Sequence, residues 1–245
     1  MNHTEFSNEF DVLYNNIMSN AAPGLNEYEK SVFLTKAQEE IVKNYFNPKG
    51  NKYGEGMDDS PKRQIDFSEL IKIGIGEPST NPNILTFDKR AKMYDLPSDL
   101  FLIINEAVET DSGVKQLIPI SYEEYTRLMS KPYKEPLKFQ AWRIVSTANN
   151  DSSAYTTIIS VEIIVNSNET IKSYRVRYIK RPAPIITADL SSEYGDVTIN
   201  GLNTISECQL NPIIHEEILQ RAVELAKAAY EGDIKSTVEL GNRSE

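Results

Sequence analysis

Apolar residues recur at helical spacing near the two ends of the chain and at alternating spacing through most of the middle. Near the start, Phe10, Leu13, Tyr14 and Ile17 occupy the i, i+3, i+4 and i+7 positions of one face, which predicts a helix over 8–19. Ala21-Ala22-Pro23-Gly24 breaks it. A second helix is predicted from Asn26, which pairs with Glu29 as a capping box. Phe33, Ala37, Ile41 and Tyr45 then recur every four residues, Glu29, Lys36, Glu40 and Lys43 line the other side, and Asn47-Pro48 stops the helix. A last helix opens with Asn211 as N-cap and Pro212 at the first helical position. Ile218, Ala222, Leu225 and Ala229 form one stripe on it, and Leu219, Val223, Ala226 and Tyr230 the adjoining one. So wide an apolar face needs two neighbours, the first long helix and a second subunit. Gly232 suits the C-cap.

Between these helices the period falls to two. Strands are predicted over 70–75, 101–108 and 114–120, and a short helix over 121–129 with Ser121 as N-cap. The clearest strand is 155–165, with Tyr155, Thr157, Ile159, Val161, Ile163 and Val165 on one face. A return strand over 171–180 puts Tyr174, Val176 and Tyr178 on one side and Arg175 and Arg177 on the other, so the two are expected to form a long antiparallel hairpin. Arg181-Pro182-Ala183-Pro184 ends the pairing. The stretch 47–66 is rich in breakers and reads as a loop or mobile arm, either a segment that orders against a neighbour or a floppy insertion.

The fold expected is α+β: terminal amphipathic helices packed as a helical module (8–46 with 211–232), the arm 47–66, a strand-rich antiparallel β domain (67–205) and a polar C-terminal segment (233–245). A chain of 245 residues is long enough for such a single unit. The net charge of −10 argues against a surface that grips nucleic acid, because phosphate binding requires Lys and Arg to displace counterions. A single cysteine, Cys208, excludes an intramolecular disulfide and a multi-thiolate cluster, and reads as a packing residue. With no basic leader and no membrane-length apolar run, the chain is expected to be made and kept in the cytosol.

No set of residues reads as catalytic. His3 and His215 are the two histidines, and no nucleophile-elbow motif accompanies His215. Adjacent acids at Glu39-Glu40, Asp58-Asp59, Glu123-Glu124 and Glu216-Glu217 read as solvated faces. Ile73-Gly74-Ile75-Gly76 lacks the spacing, the lysine and the following helix of a phosphate loop. No cofactor or metal is expected. The cluster Arg175, Arg177, Lys180 and Arg181 stands out in an acidic chain, as an exposed sheet face or as a dock for an acidic neighbour. Thirteen tyrosines against eight phenylalanines suit surfaces buried against partners.

The blocks Glu9-Phe-Asp-Val-Leu-Tyr-Asn-Asn-Ile, Ala22-Pro-Gly-Leu-Asn-Glu-Tyr-Glu-Lys, Pro119-Ile-Ser-Tyr-Glu-Glu-Tyr, Tyr178-Ile-Lys-Arg-Pro-Ala-Pro-Ile and Leu210-Asn-Pro-Ile-Ile-His-Glu-Glu-Ile resemble virion structural proteins of crAss-like tailed phages. Their order is similar to that of head-to-tail adaptors of short-tailed phages. The resemblance implies a structural, non-enzymatic ring subunit of the phage neck, in about twelve copies, joining the portal to the tail and lining the DNA channel. It implies as partners its own copies, the portal, neighbouring ring or tail proteins and DNA in transit, with no membrane; the place is the virion, assembled in the host cytoplasm. Arg175, Arg177, Val238 and Leu240 are the candidate partner-contact residues, and 233–245 is expected to touch another subunit or the portal. Two other readings carry their own signatures: a receptor- or glycan-binding tail component with exposed tyrosines and Trp142 as a sugar platform, and a wall-polymer hydrolase using a carboxylate pair.

Overall fold

Helices stand at both ends of the chain and strands fill the middle, in a mixed α+β arrangement. The computed structural model describes residues 1–17, 24–46, 61–79, 86, 88–131, 134–148, 158–167, 169–193, 195 and 197–231. The helices are α1 (His3–Ile17), α2 (Glu27–Phe46), α3 (Pro61–Asp66), α4 (Tyr122–Met129), α5 (Leu190–Glu193) and α6 (Pro212–Glu231). The strands are β1 (Ile71–Ile75), β2 (Glu77–Pro78), β3 (Lys92–Asp95), β4 (Leu100–Thr110), β5 (Gly113–Pro119), β6 (Gln140–Ala148), β7 (Ile158–Ile164) and β8 (Ile171–Lys180). They divide into two units, residues 1–70 with 182–245 and residues 71–181.

In the first unit α1 starts five residues earlier than its apolar spacing predicts. Asn2 Oδ1 accepts from the Glu5 N–H at 2.8 Å while Glu5 Oε2 accepts from the Asn2 N–H at 2.9 Å, a capping box that satisfies orphan amides ahead of the apolar run. The same reciprocal pair closes the start of α2 through Asn26 and Glu29. Helix α6 packs on α1 and α2 and buries Ile214, Ile218, Leu219, Ala222, Val223, Leu225 and Ala226. Lys30 is 4% exposed yet charged: burial works against its ammonium, and hydrogen bonds to Asp11 (2.6 Å) and Glu27 (2.9 Å) outweigh that and raise its pKa.

Residues 182–205, expected within the strand-rich domain, fall in this unit with the helices. Ser31, Thr35 and Gln38 lie at helical spacing on α2 and are all buried. Gln38 Nε2 donates to the Ala183 carbonyl at 2.8 Å; Thr35 Oγ1 and Ser31 Oγ accept from the Ile185 and Thr187 N–H groups at 3.1 and 3.0 Å. A proline-interrupted segment cannot fill its polar groups from a ladder, so a polar helix face fills them instead. The described end of the predicted arm is helical, as α3.

The second unit is one eight-stranded sheet of order β1-β8-β4-β5-β6-β7-β3-β2. Its two end strands, β1 and β2, are separated in sequence by Gly76 alone, so the sheet curls back on itself into a nearly closed, barrel-like form. Gly76 N–H donates to the Tyr174 carbonyl at 2.9 Å, and a Cβ on Gly76 would stand 2.2 Å from Tyr174 Cδ1. No side chain fits at that seam. Tyr94, Val108, Leu117, Ala141, Val161, Tyr174 and Val176 fill the interior. On the outside α4 covers Trp142, Ile144 and Ile164 with Tyr125, and Ser121 Oγ caps it by accepting from the Glu124 N–H.

Two expectations are corrected. The sheet is not wholly antiparallel, because β5 and β6 run parallel and are joined by the α4 crossover that parallel neighbours need. The 155–165 and 171–180 strands are not a hairpin: β7 pairs with β6 and β3, and β8 with β4 and β1. Residues 155–157 lie outside the described residues. Ser160, Val161, Glu162, Ile163 and Ile164 are buried on both faces of β7, which makes it an inner strand needing neighbours on each side. The connection to β8 is tied instead to β5 by the Glu169–Lys115 ion pair and to the β4–β5 turn by Thr170 and Asp111.

Candidate functional site

The alternation of β8 turns Tyr174, Val176 and Tyr178 inward and Arg175 and Arg177 outward. The register then sets Ile73 of β1 beside Arg177 and Ile75 beside Arg175. Ile73 is 75% exposed and Ile75 67%, while the alternating Gly74 and Gly76 meet the inward rings of Tyr178 and Tyr174. The Ile-Gly-Ile-Gly run is thus a fitted seam with two large aliphatic side chains on its outer face. On the other flank of β8, Arg175 lies beside Ala107 and Arg177 beside Asn105. Arg175 is 57% exposed and donates to Glu109 at 2.9 Å; Ser173 donates to the same carboxylate at 3.1 Å.

Of the four-member basic cluster, the structure brings Arg175 and Arg177 together and separates the other two. Lys180 falls on the opposite parity of β8, and Arg181 follows the strand with its guanidinium 5.9 Å from the Phe101 ring centroid. Val238 and Leu240 lie outside the described residues. The strand predicted over 70–75 gives no sign by itself that Ile73 and Ile75 stand exposed. A strand that alternates Ile with Gly puts its glycines where the other wall comes close, which sends the isoleucines outward.

Beneath this face the barrel interior holds a charged group. Glu106 of β4 accepts from the Tyr174 hydroxyl, and its other oxygen stands 3.0 Å from Arg143 Nε of β6. Burial, then the Glu106 charge, pushes the Tyr174 pKa up, so Tyr174 remains a donor. At the α4 side Asp88 accepts from Arg90 (2.7 Å) and from the Tyr125 hydroxyl (3.1 Å), and its N–H donates to Glu162 at 2.9 Å. The Arg90 hydrogen bonds hold the Asp88 carboxyl below its ordinary value. These are paired groups within packed walls.

His215 is 4% exposed, with Nε2 donating to the Leu210 carbonyl at 2.9 Å and its ring against Phe6. Burial lowers its pKa. Cys208 donates to Gln38 Oε1 at 3.3 Å, and burial pushes its thiol up to about 11, away from the thiolate a nucleophile needs. Among the described residues no group of three or more His, Cys, Asp or Glu side chains is placed to hold a metal ion, and no helix is long and apolar enough to cross a membrane. Trp142, which the glycan-binding alternative would place at the surface as part of a sugar platform, is 7% exposed beneath α4. The correction has a plain cause: β6 was not anticipated, and its outer face is where the crossover helix lies.

Sequence comparison adds an independent line. The family described as phage tail ring protein 3/4 matches residues 1–238. The chain is 75% identical over 245 residues to ring protein 4/5 of Bacteroides phage crAss001, covering all of both chains. It is also 31% identical over 235 residues to ring protein 3 of the same phage, covering 92% of this chain and 95% of the relative.

Proposed function

The chain belongs to the phage tail ring protein 3/4 family, and from that membership we propose that it is a structural virion protein forming a ring in the phage neck, between portal and tail, around the path of the DNA. The observation that carries the proposal is the outer face of β1 and β8. Two exposed isoleucines lie in register with two arginines, on a chain of net charge −10. Such an apolar centre with cationic neighbours suits an interface whose opposite side is acidic, and a neighbouring copy of this chain offers acid in excess. A ring needs a head-to-tail contact in which two different patches meet, so a basic-apolar face on one side of each copy is the kind of asymmetry required. About twelve copies, each with the same negative charge, would surround DNA without gripping it.

Arg175 and Arg177 are the lateral contacts in this reading, the terminal helices are a packed module facing the neighbouring copy or the portal, and the C-terminal segment with Val238 and Leu240 reaches a neighbour. The test is the mass of the purified protein with and without portal, by mass photometry, for the native chain and for Ile75→Asp with Arg175→Glu. The native chain should form a ring or join the portal, and the double variant should remain monomeric with an unchanged melting temperature. A native chain that stays monomeric beside the portal, or a double variant that assembles as before, would defeat the proposal.

A further inference from the structure

The helical unit holds a histidine whose two ring nitrogens are both committed. His215 stands in the first turn of α6, buried against α1. Its Nε2 lies 2.9 Å from the Leu210 carbonyl, which can only accept, so the ring proton is on Nε2. Nδ1 is then a lone pair, and it takes a hydrogen bond from the Met1 ammonium at 2.8 Å. Phe6, one turn further along α1, lies with its ring centroid 5.2 Å from that of His215. We propose that His215 is an acid-sensitive latch between α1 and α6: a proton taken up at Nδ1 sets two donors head to head and releases the start of α1. The latch is independent of how copies of the chain assemble.

Three features oppose a charged ring at this place. Neither nitrogen of His215 meets a carboxylate. The Met1 ammonium repels a second cation, and the first turn of a helix is the positive end of its dipole. The acids nearby are engaged elsewhere. On α1, Glu5 accepts from the Asn2 N–H and lies 3.9 Å from the Met1 ammonium, and His3 faces Glu207 at 3.6 Å. On α6, Glu217 accepts from Tyr45 and Glu216 from Gln220. On α3, Asp66 is buried, and its carbonyl accepts from the Asn211 N–H. Burial first, and then the ammonium, hold the His215 pKa below its ordinary 6.5. The unfolded ring takes its proton near that ordinary value, so stability present above it is lost as pH falls toward the lower, folded pKa. Both histidines lie in the helical unit and the one tryptophan, Trp142, lies in the barrel, so mild acid should act on the helices and leave the barrel unchanged.

The experiment follows hydrogen exchange of the full chain at about pH 7 and about pH 5, corrected for intrinsic rates. Peptides from α1 should lose protection by about tenfold in acid, the change that one unit of pKa difference allows, while β4, β8 and the Trp142 fluorescence hold steady. His215→Gln keeps an amide donor for the Leu210 carbonyl without a titrating ring, and should flatten the pH dependence of α1. His3→Gln should retain it. NMR of the native chain gives an arm that needs no variant: the His215 ring should show the Nε2–H form at neutral pH and a titration midpoint below 6.5. A midpoint at or above 6.5 would overturn the inference, as would α1 protection that is unchanged in acid. So would an acid loss that survives in His215→Gln or vanishes in His3→Gln.

Discussion

Replacing Gly76 by alanine puts one carbon atom where the ring of Tyr174 already stands. In most strands the exchange is favourable, because alanine has less chain entropy to lose, and a gain of roughly 0.4–1 kcal/mol would be the default. Here the added Cβ would meet Tyr174 at 2.2 Å (Cδ1) and 2.8 Å (Cε1), far inside van der Waals contact. The ring cannot swing aside, since Tyr174 is 0% exposed, donates to Glu106 and packs against Tyr94 with centroids 5.6 Å apart. The seam must part instead, at the place where β1 passes into β2. Overpacking of this kind costs about 1–3 kcal/mol, so the sign of the ordinary effect is reversed. For a chain of this size that is a fall of roughly 2–12 °C in Tm. Thermal and urea denaturation of Gly76→Ala would measure it, with Gly24→Ala as the control, because a Cβ at Gly24 meets nothing within 4 Å. The decisive arm is the Tyr174→Leu background, where the obstructing ring atoms are gone and the Gly76→Ala cost should fall below about 0.5 kcal/mol. A neutral or stabilising Gly76→Ala in the native chain would refute the seam as described.

Arg143→Met should destabilise the barrel by about 3–5 kcal/mol, because it strands the Glu106 carboxylate in a packed interior; Arg143→Met with Glu106→Gln should recover much of that in urea denaturation. Asp88 titrates below its ordinary 3.8 in the folded state, so its contribution is fully present above that value and disappears as pH falls through the lower, folded pKa. The stability gap between the native chain and Asp88→Asn should therefore narrow in acid, and a gap that widens would contradict the Arg90 pairing. Asn26→Ala should cost about 1 kcal/mol through loss of the α2 cap, read as a Tm shift and as faster hydrogen exchange in the first turn of α2.

Helices with a strong local start were legible residue by residue. Asn26 with Glu29, Ser121 with Glu124 and Asn211 with Pro212 each announce a first turn through side chains that reach only three residues, and all three helices begin there. The inward and outward faces of β8 were legible for the same reason, since alternation is a local property of an extended chain. The start of α1 lies ahead of its apolar spacing because the Asn2 and Glu5 capping box sets it there.

The sequence by itself determined where α2, α4 and α6 begin, which side of β8 faces inward, and that the chain is a helix-and-strand protein of acidic charge. Only the tertiary structure decided which strands are neighbours, because pairing across a sheet is chosen by burial on both faces and not by sequence proximity; so β7 and β8 part company. It also decided that Ser31, Thr35 and Gln38 are interior, since a polar stripe is buried or solvated according to whether another segment's backbone needs its hydrogen bonds. The exposed Ile73 and Ile75 were decided last of all, by the Tyr174 ring, which leaves room for glycine alone at Gly76, and by Tyr178 and Pro97, which crowd Gly74.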